Sequence, residues 1–334
     1  MTNLLNRENP IHWTLALLVL FAALMPACRS DLLVLELPVS RNSPRFEPDP
    51  QSDFVIDATG TPVTCHRYQR IVVLDGVDHV LQLIPADRIA GVGAWAASHS
   101  LEGWRLAGKP RFSDVGQVEK ILSCHPDLVV LCSVGNPELR EAITGLRSLG
   151  VPVFDLRYTI TLDDLLGQIT SLGALLKDST RAAHLRDTAA QRAALLGLPL
   201  RSGRSPARSI FICSWGERVS VGGAGDIFHG MITGSGLRDA GAEAGLYMSP
   251  VVPIETALRI NPQVLVTRPA NRRALASLPG IDAIMQGGNT SVAYIPEPFL
   301  GAAAPLDLID TMEALQDQVY NSRAQKLQLP AHDR

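Results

Sequence analysis

RIVVLDGVDHVLQLIPADRIAGVGAWAAS, residues 70–98, carries two messages. Arg70 to Asp75 is an apolar run ending in a polar residue, as a strand buried on both faces reads, and GVDHVLQLI (76–84) continues at helical spacing. Farther on, Gly91-Val92-Gly93-Ala94-Trp95-Ala96 fits G-x-G-x-x-G/A, the pattern of a dinucleotide-binding turn. That turn belongs to the first strand-helix unit of its fold and opens directly into a helix whose N-terminus holds the pyrophosphate. Here a complete strand and helix precede it. The next stretch of chain, AASHSLEGWRLAGKPRFSDVG, has three glycines, a proline and no helical stripe, and the acidic residue expected farther on, Asp114, falls in loop. The context denies nucleotide binding and leaves a strand followed by a loop that lines something.

Working outward, strand and helix keep alternating. FVIDATGTPVTC (54–65) reads as a hairpin around Ala58-Thr59-Gly60. After RIAGVG come VEKILSC as helix, PDLVVLC as strand, PELREAITGLRSLG as helix and VPVFDL as strand. Short connections between such elements call for a parallel sheet with helices on its faces. From Thr161 a T-x-x-D capping signal opens a leucine stripe, with no proline until Pro199. The spacing predicts one helix over 161–198, about 57 Å long at roughly 1.5 Å per residue, which must bridge two bodies. Beyond it, ARSIFICSW, DIFHGMITGSG, PIETALRI, PQVLVTR and SVAYIP predict a second α/β lobe. Its ALRINPQVLVTR echoes KILSCHPDLVVLC of the first: helix, proline, apolar strand.

The N-terminus speaks to location. Trp13 to Ala27 is a 15-residue apolar run followed by Cys28. It is short for a membrane span, which needs about 20 residues, and reads as the core of a signal peptide. LMPAC resembles a lipobox with Cys28 as the lipidated residue; cleavage near Ala27 or an uncleaved anchor are the alternatives, and all three place the domain outside the cytoplasm. The expected organisation is signal peptide 1–28, proline-rich tether 29–53, first lobe 54–160, bridging helix 161–199, second lobe 200–322 and tail 323–334. A net charge of -3 offers no attraction to nucleic acid or to an anionic membrane surface. Cys124 and Cys132 flank a strand, and eight extended steps cover about 26 Å, so they should not pair. Cys65, Cys124, Cys132 and Cys213 read as buried free thiols.

The ordered set FVIDATGTPVTCHRYQRIVVLD, DRIAGVGAW, VEKILSCHPDLVVL, LRSLGVPVF, VGGAGDIFHGMI and PIETALRINPQVLV resembles the substrate-binding proteins of ABC importers for iron chelates and cobalamin, from about Phe54 to Tyr320. The resemblance implies two Rossmann-like α/β lobes with parallel-rich sheets joined by one long rigid helix, the class III periplasmic-binding-protein architecture. It implies a monomer with no cofactor of its own and a ligand carrying iron or cobalt, a siderophore, haem or cobalamin, held between the lobes. An ABC permease and its ATPase are the implied partners. GVGAW, FICSWGE and IPEPFLG are similar to cleft turns of the family, which points to Trp95, Trp215 and Phe299 as aromatic contacts. Trp95 packed beneath its own loop is the alternative. CSVGN has Cys132 where the cobalamin binder offers a tryptophan. Asp75, Asp78 and Asn136, at strand ends or in adjoining turns, are candidates for polar contacts. Glu102 and Glu255 occupy positions similar to the family's permease-docking acids, or are solvated helix-end carboxylates.

Two rival classes are weighed beside this. An enzyme would need a constellation that the chain lacks: there is no G-x-S-x-G, no H-E-x-x-H and no G-x-x-x-x-G-K-[ST]. A bare zinc or manganese binder would need three or four convergent ligands. His79 and His99 fall near strand ends, whereas His229 falls in a helix and His125 in a turn.

Overall fold

The computed structural model describes residues 53–74, 78–94, 103–112, 118–133, 137–196, 205–216, 218–278, 280–281, 290–296 and 304–328, with the backbone alone for Asp78, Gly103, Trp104, Pro137, Trp215 and 321–328. The hairpin β1 (Phe54–Ile56) and β2 (Pro62–Thr64) is antiparallel, its turn carrying Gly60 at φ 82°. Buried Asp57 accepts from the N–H groups of Thr59 and Thr61, both at 2.9 Å, and its other oxygen pairs with Arg147. The hairpin is thereby tied to the far edge of the first lobe.

That lobe runs β3 (Ile71–Val73), α1 (Asp78–Leu83), β4 (Ile89–Gly93), β5 (Arg111–Phe112), α2 (Val118–Ser123), β6 (Leu128–Leu131), α3 (Pro137–Ser148) and β7 (Val153–Asp155). Its five strands are parallel in the order β5-β4-β3-β6-β7. β3 and β6 are buried at every residue, because helices cover both faces. The glycine pattern is now explained. Gly91 lies inside β4, and a β-carbon there would come within 2.6 Å of the Phe112 ring on β5, so the glycine serves strand packing. Cys124 and Cys132 stand at opposite ends of β6, and neither these two nor Cys65 and Cys213 form a disulfide; Cys132 and Cys213 are only half-buried.

The single helix expected over 161–198 is two helices, α4 (Leu162–Leu175) and α5 (Ser179–Leu196). Thr161 and Asp164 form the expected capping box at the start of α4. Its end is a Schellman turn: Asp178 N–H donates to Gly173 C=O at 2.8 Å, Lys177 N–H to Ala174 C=O at 3.1 Å, and Lys177 takes φ 51°. Glycine makes the corresponding turn after α3, where Gly150 has φ 79°. A lysine in that conformation leaves no mark on the periodicity. Both helices nevertheless straddle the lobes. Leu165 of α4 packs into the second lobe's core while Ile169, Leu172 and Leu175 pack into the first's; along α5, Ala182 joins the first and Ala189 and Leu196 the second.

The second lobe holds β8 (Arg208–Trp215), β9 (Arg218–Val221), α6 (Ile227–Gly234), β10 (Arg238–Asp239), α7 (Ala240–Glu243), β11 (Val251–Val252), α8 (Ile254–Arg259), β12 (Val264–Thr267), α9 (Arg272–Ala276), β13 (Ser291–Tyr294) and α10 (Pro305–Gln328). α10 therefore runs past the boundary expected at 322. The sheet is mixed, in the order β11-β9-β8-β12-β13: β12 and β13 run parallel to β8, β9 returns antiparallel as a hairpin partner, and β10 pairs parallel with the start of β8. The echo between the halves is physical. His125 and Asn261 each end a helix with positive φ, 47° and 53°, directly before a proline and a buried strand.

Candidate functional site

Open parallel sheets hold ligands outside the carboxyl ends of their strands, at the point where successive connections leave in opposite directions. In the first lobe the chain leaves β3 toward β4 and β5, then returns to β6 and β7 on the other flank, so the crevice opens between β3 and β6. In the second lobe β9 and β10 lie on one flank of β8 and β12 and β13 on the other, so it opens between β8 and β12.

At the first rim, Ser133 follows β6 and donates its N–H and hydroxyl to the two carboxylate oxygens of Asp155, at 2.8 and 2.5 Å. Asp155 is buried at the end of β7, so both of its oxygens are occupied. At the second rim, three side chains meet. Cys213 of β8 receives Asn271 Nδ2 at 3.0 Å and Arg268 Nη2 at 3.4 Å on its sulfur, and Arg268 is the first residue after β12. Asn271 is buried and Arg268 half-buried.

The glycine loop before α6 completes the second rim. A β-carbon on Gly223 would come within 2.4 Å of Leu246 C=O, and one on Gly225, at φ 88°, within 2.6 Å of the Tyr247 ring. Only glycine lets this loop approach so closely. Asp226 then caps α6, accepting from His229 N–H at 2.9 Å and from Ser249 Oγ at 2.6 Å. Burial raises its carboxyl above the usual carboxylate range, against the pull of those hydrogen bonds.

Tyr158, in the segment joining β7 to α4, answers to both lobes. Burial, then the Asp226 carboxylate, then Cys132, push its phenol up to about 12, while a backbone hydrogen bond from Ile227 works the other way. Its hydroxyl therefore meets the backbone at the start of α6. Nearby, His79 of α1 is buried and meets Gln168 Oε1 of α4 through Nε2 at 2.8 Å, and Gln168 Nε2 donates to Arg157 C=O at 2.6 Å. Because Gln168 spends its amide N–H on the carbonyl, its oxygen accepts and His79 carries the proton on Nε2. Burial lowers the imidazole to about 4, so His79 is a neutral structural link between the first lobe and α4. Among the described residues, no three His, Cys, Asp or Glu side chains converge as a metal-holding group.

Of the residues singled out in the sequence, Glu255 is exposed in the first turn of α8. Trp215 is the last residue of β8. Asp78 begins α1. Trp95, Phe299, Asp75, Asn136, Glu102, Cys28 and His99 lie outside the described residues. β3 and β6, which precede positions 75 and 136, are hydrogen-bonded neighbours. Sequence reasoning missed Tyr158 and the Arg268–Asn271–Cys213 cluster. The available signal was position: Arg268 directly follows the apolar strand VLVT, where parallel sheets present functional side chains.

This is the architecture of a two-lobed solute-binding protein, and residues 74–286, well over half of the chain, match the periplasmic binding protein family; the chain belongs to that family. Its members are binding proteins that work outside the cytoplasm, not enzymes. The chain is similar in fold to the heme binding protein HmuT, with a TM-score of 0.64 and 20% identity over 81% of this chain and 94% of that one. It is similar also to an ABC-type Fe3+-hydroxamate transport system protein from Saccharomonospora viridis, with a TM-score of 0.63 and 22% identity over 80% and 98%. The periplasmic heme-binding protein RhuT from Roseiflexus sp. RS-1 matches with a TM-score of 0.59 and 21% identity over 75% and 98%. No curated protein matches the sequence. No described helix is long and apolar enough to cross a membrane.

Proposed function

We propose that this chain is the substrate-binding protein of an ABC importer, capturing an iron chelate, a siderophore or haem, or else cobalamin, between its lobes and delivering it to a membrane permease. The observation that carries the reading is the pair of crevices, one per lobe, tied by a hairpin whose two helices enter both cores. Structurally similar proteins described as heme-binding and Fe3+-hydroxamate transporting support the chelate.

In this reading Trp95, Trp215 and Phe299 grip the ligand, since aromatic rings offer broad contact with little side-chain entropy to lose. Asp75, Asp78 and Asn136 orient it. Glu102 and Glu255 dock the lobes on the permease, and the exposure of Glu255 supports a surface role. Cys28 anchors the chain to the membrane through lipid, ahead of the proline-rich tether. Titrating the purified protein with haemin, a ferric hydroxamate, a ferric catecholate and cobalamin, followed by tryptophan quenching, tests the reading. Saturable micromolar or tighter binding of one of them is expected. Failure of all four, with stoichiometric zinc or manganese in the purified protein, would overturn it.

A further inference from the structure

The two ends of the first lobe's sheet are both open, to different things. Its carboxyl end carries the crevice, while at its amino end a cavity of about 400 Å³ lies among the residues that lead into β3, β4 and β5. Each of these strands brings one ionic side chain to the lining: Arg70 directly before β3, Asp87 two residues before β4 and Lys109 two residues before β5. Because the strands stand in the order β5-β4-β3, the charges alternate along one edge, positive, negative, positive. Neighbouring strands are about 4.8 Å apart, near enough for opposite charges to meet. Yet among the described residues Asp87 forms an ion pair with neither cation.

These groups are held in place by the chain around them. Asp127 accepts from Gln69 N–H at 2.6 Å and from Arg70 N–H at 2.9 Å. Arg70 Nε donates to Cys124 C=O and His125 C=O, both at 3.1 Å, and Nη2 donates to Cys124 C=O as well. The end of α2 thereby fixes the guanidinium, whose Nη1 has no partner among the described residues. Asp87 sits in the single turn Ala86–Arg88, closed by Arg88 N–H on Pro85 C=O at 3.0 Å, and the Arg88 side chain turns inward to Tyr68 C=O at 2.6 Å. Lys109 is half-buried between Gly108, at φ 77°, and Pro110, whose C=O accepts from Val92 N–H at 3.0 Å. Neither the Lys109 ammonium nor the Asp87 carboxylate makes a side-chain hydrogen bond among the described residues.

We propose that this cavity is a second ligand site, apart from the interlobe crevice, and that it takes a small aminodicarboxylate. One carboxylate meets Arg70, the other meets Lys109, and the ammonium meets Asp87. Such a molecule carries the complement of each group, and its single net negative charge answers the single net positive charge of the site. A phosphate or sulfate would set its charge against Asp87, and a simple cation would face two like charges, so the alternation itself selects for the mixed ligand. The site goes beyond the chelate reading of the function, because it lies at the other end of the sheet.

Isothermal titration of the full chain with glutamate, with glutarate, which lacks the ammonium, and with 4-aminobutyrate, which lacks one carboxylate, tests the proposal. Wild type should bind glutamate saturably, with a Kd of about 1 mM or tighter, and each truncated molecule at least about tenfold more weakly. D87N should bind glutamate and glutarate alike, and K109Q should bind glutamate and 4-aminobutyrate alike. Asp87 is exposed and Lys109 half-buried, and neither side chain holds another group by hydrogen bond or ion pair, so both variants should melt as wild type does. Arg70, which also caps α2, is left unchanged for that reason.

Absence of saturable glutamate binding overturns the assignment. So does glutamate affinity that is unchanged in both D87N and K109Q, since the molecule then binds elsewhere on the chain. Glutarate and 4-aminobutyrate bound by wild type as tightly as glutamate would overturn the ligand class. None of these outcomes bears on the chelate, whose proposed place is the crevice.

Discussion

Gly173 of α4 and Ala182 of α5 face each other so closely that a β-carbon on residue 173 would come within 2.3 Å of Ala182 Cβ. This contact closes the hairpin where the sequence read straight on. Gly173→Ala should therefore destabilise the protein despite alanine's better helix propensity, by about 1–3 kcal/mol for overpacking. Ala182→Gly added to it should restore most of the loss. Thermal melting of the two single variants and the double variant checks this; a Gly173→Ala protein as stable as wild type would contradict the packing.

His79 predicts a pH dependence. Its folded value lies near 4, below the usual 6.5 of the unfolded chain, so between those values the unfolded state binds the extra proton. Stability from keeping the ring neutral is fully present above pH 6.5 and falls progressively as the pH drops toward 4, by about 3 kcal/mol in all. Urea unfolding of wild type and His79→Gln at pH 7 and pH 4.5 should show a shallower acid loss in the variant.

Asp226 separates geometry from charge. Asp226→Ala strands the His229 N–H and the Ser249 hydroxyl and should cost about 2–3 kcal/mol. Asp226→Asn keeps one capping oxygen, lets Ser249 accept instead of donate, and removes a carboxylate that burial disfavours. It should melt close to wild type, and chemical denaturation of both variants is the measurement.

The aromatic grip is tested by Trp95→Ala and Trp215→Ala. Both should melt near the wild-type temperature and bind the chelate at least about tenfold more weakly, about 1.4 kcal/mol. Early unfolding of both, with full affinity in whatever remains folded, would return them to the core.

The docking role separates binding from delivery. Glu255→Arg alters an exposed side chain, so folding and ligand affinity should stay as in wild type. Uptake of the chelate by membrane vesicles containing the permease and its ATPase should fall, at least about threefold for the loss and reversal of one charged contact. Unchanged uptake would make Glu255 a solvated helix-end carboxylate.

What the sequence by itself determined is the alternation. Continuous apolar runs such as Val72 to Leu74 and Leu128 to Leu131 can only be strands covered on both faces, and proline after His125 and Asn261 marks where helix gives way to strand. The same local chemistry read the Thr161 cap and the Gly60 turn, because caps and positive φ at glycine are properties of a few consecutive residues. Tertiary structure decided the rest. The break at Lys177 came from burial, since folding back puts Ala182, Ala189 and Leu196 into cores that a straight helix could not reach, and this outweighs the cost of a left-handed lysine. The rim was likewise invisible along the chain: Cys213, Arg268 and Asn271 meet because β12 pairs with β8, and Tyr158 reaches both lobes only because the segment that carries it passes between them. Long-range strand order, which periodicity does not encode, is what turns a residue after a strand into a residue at a site.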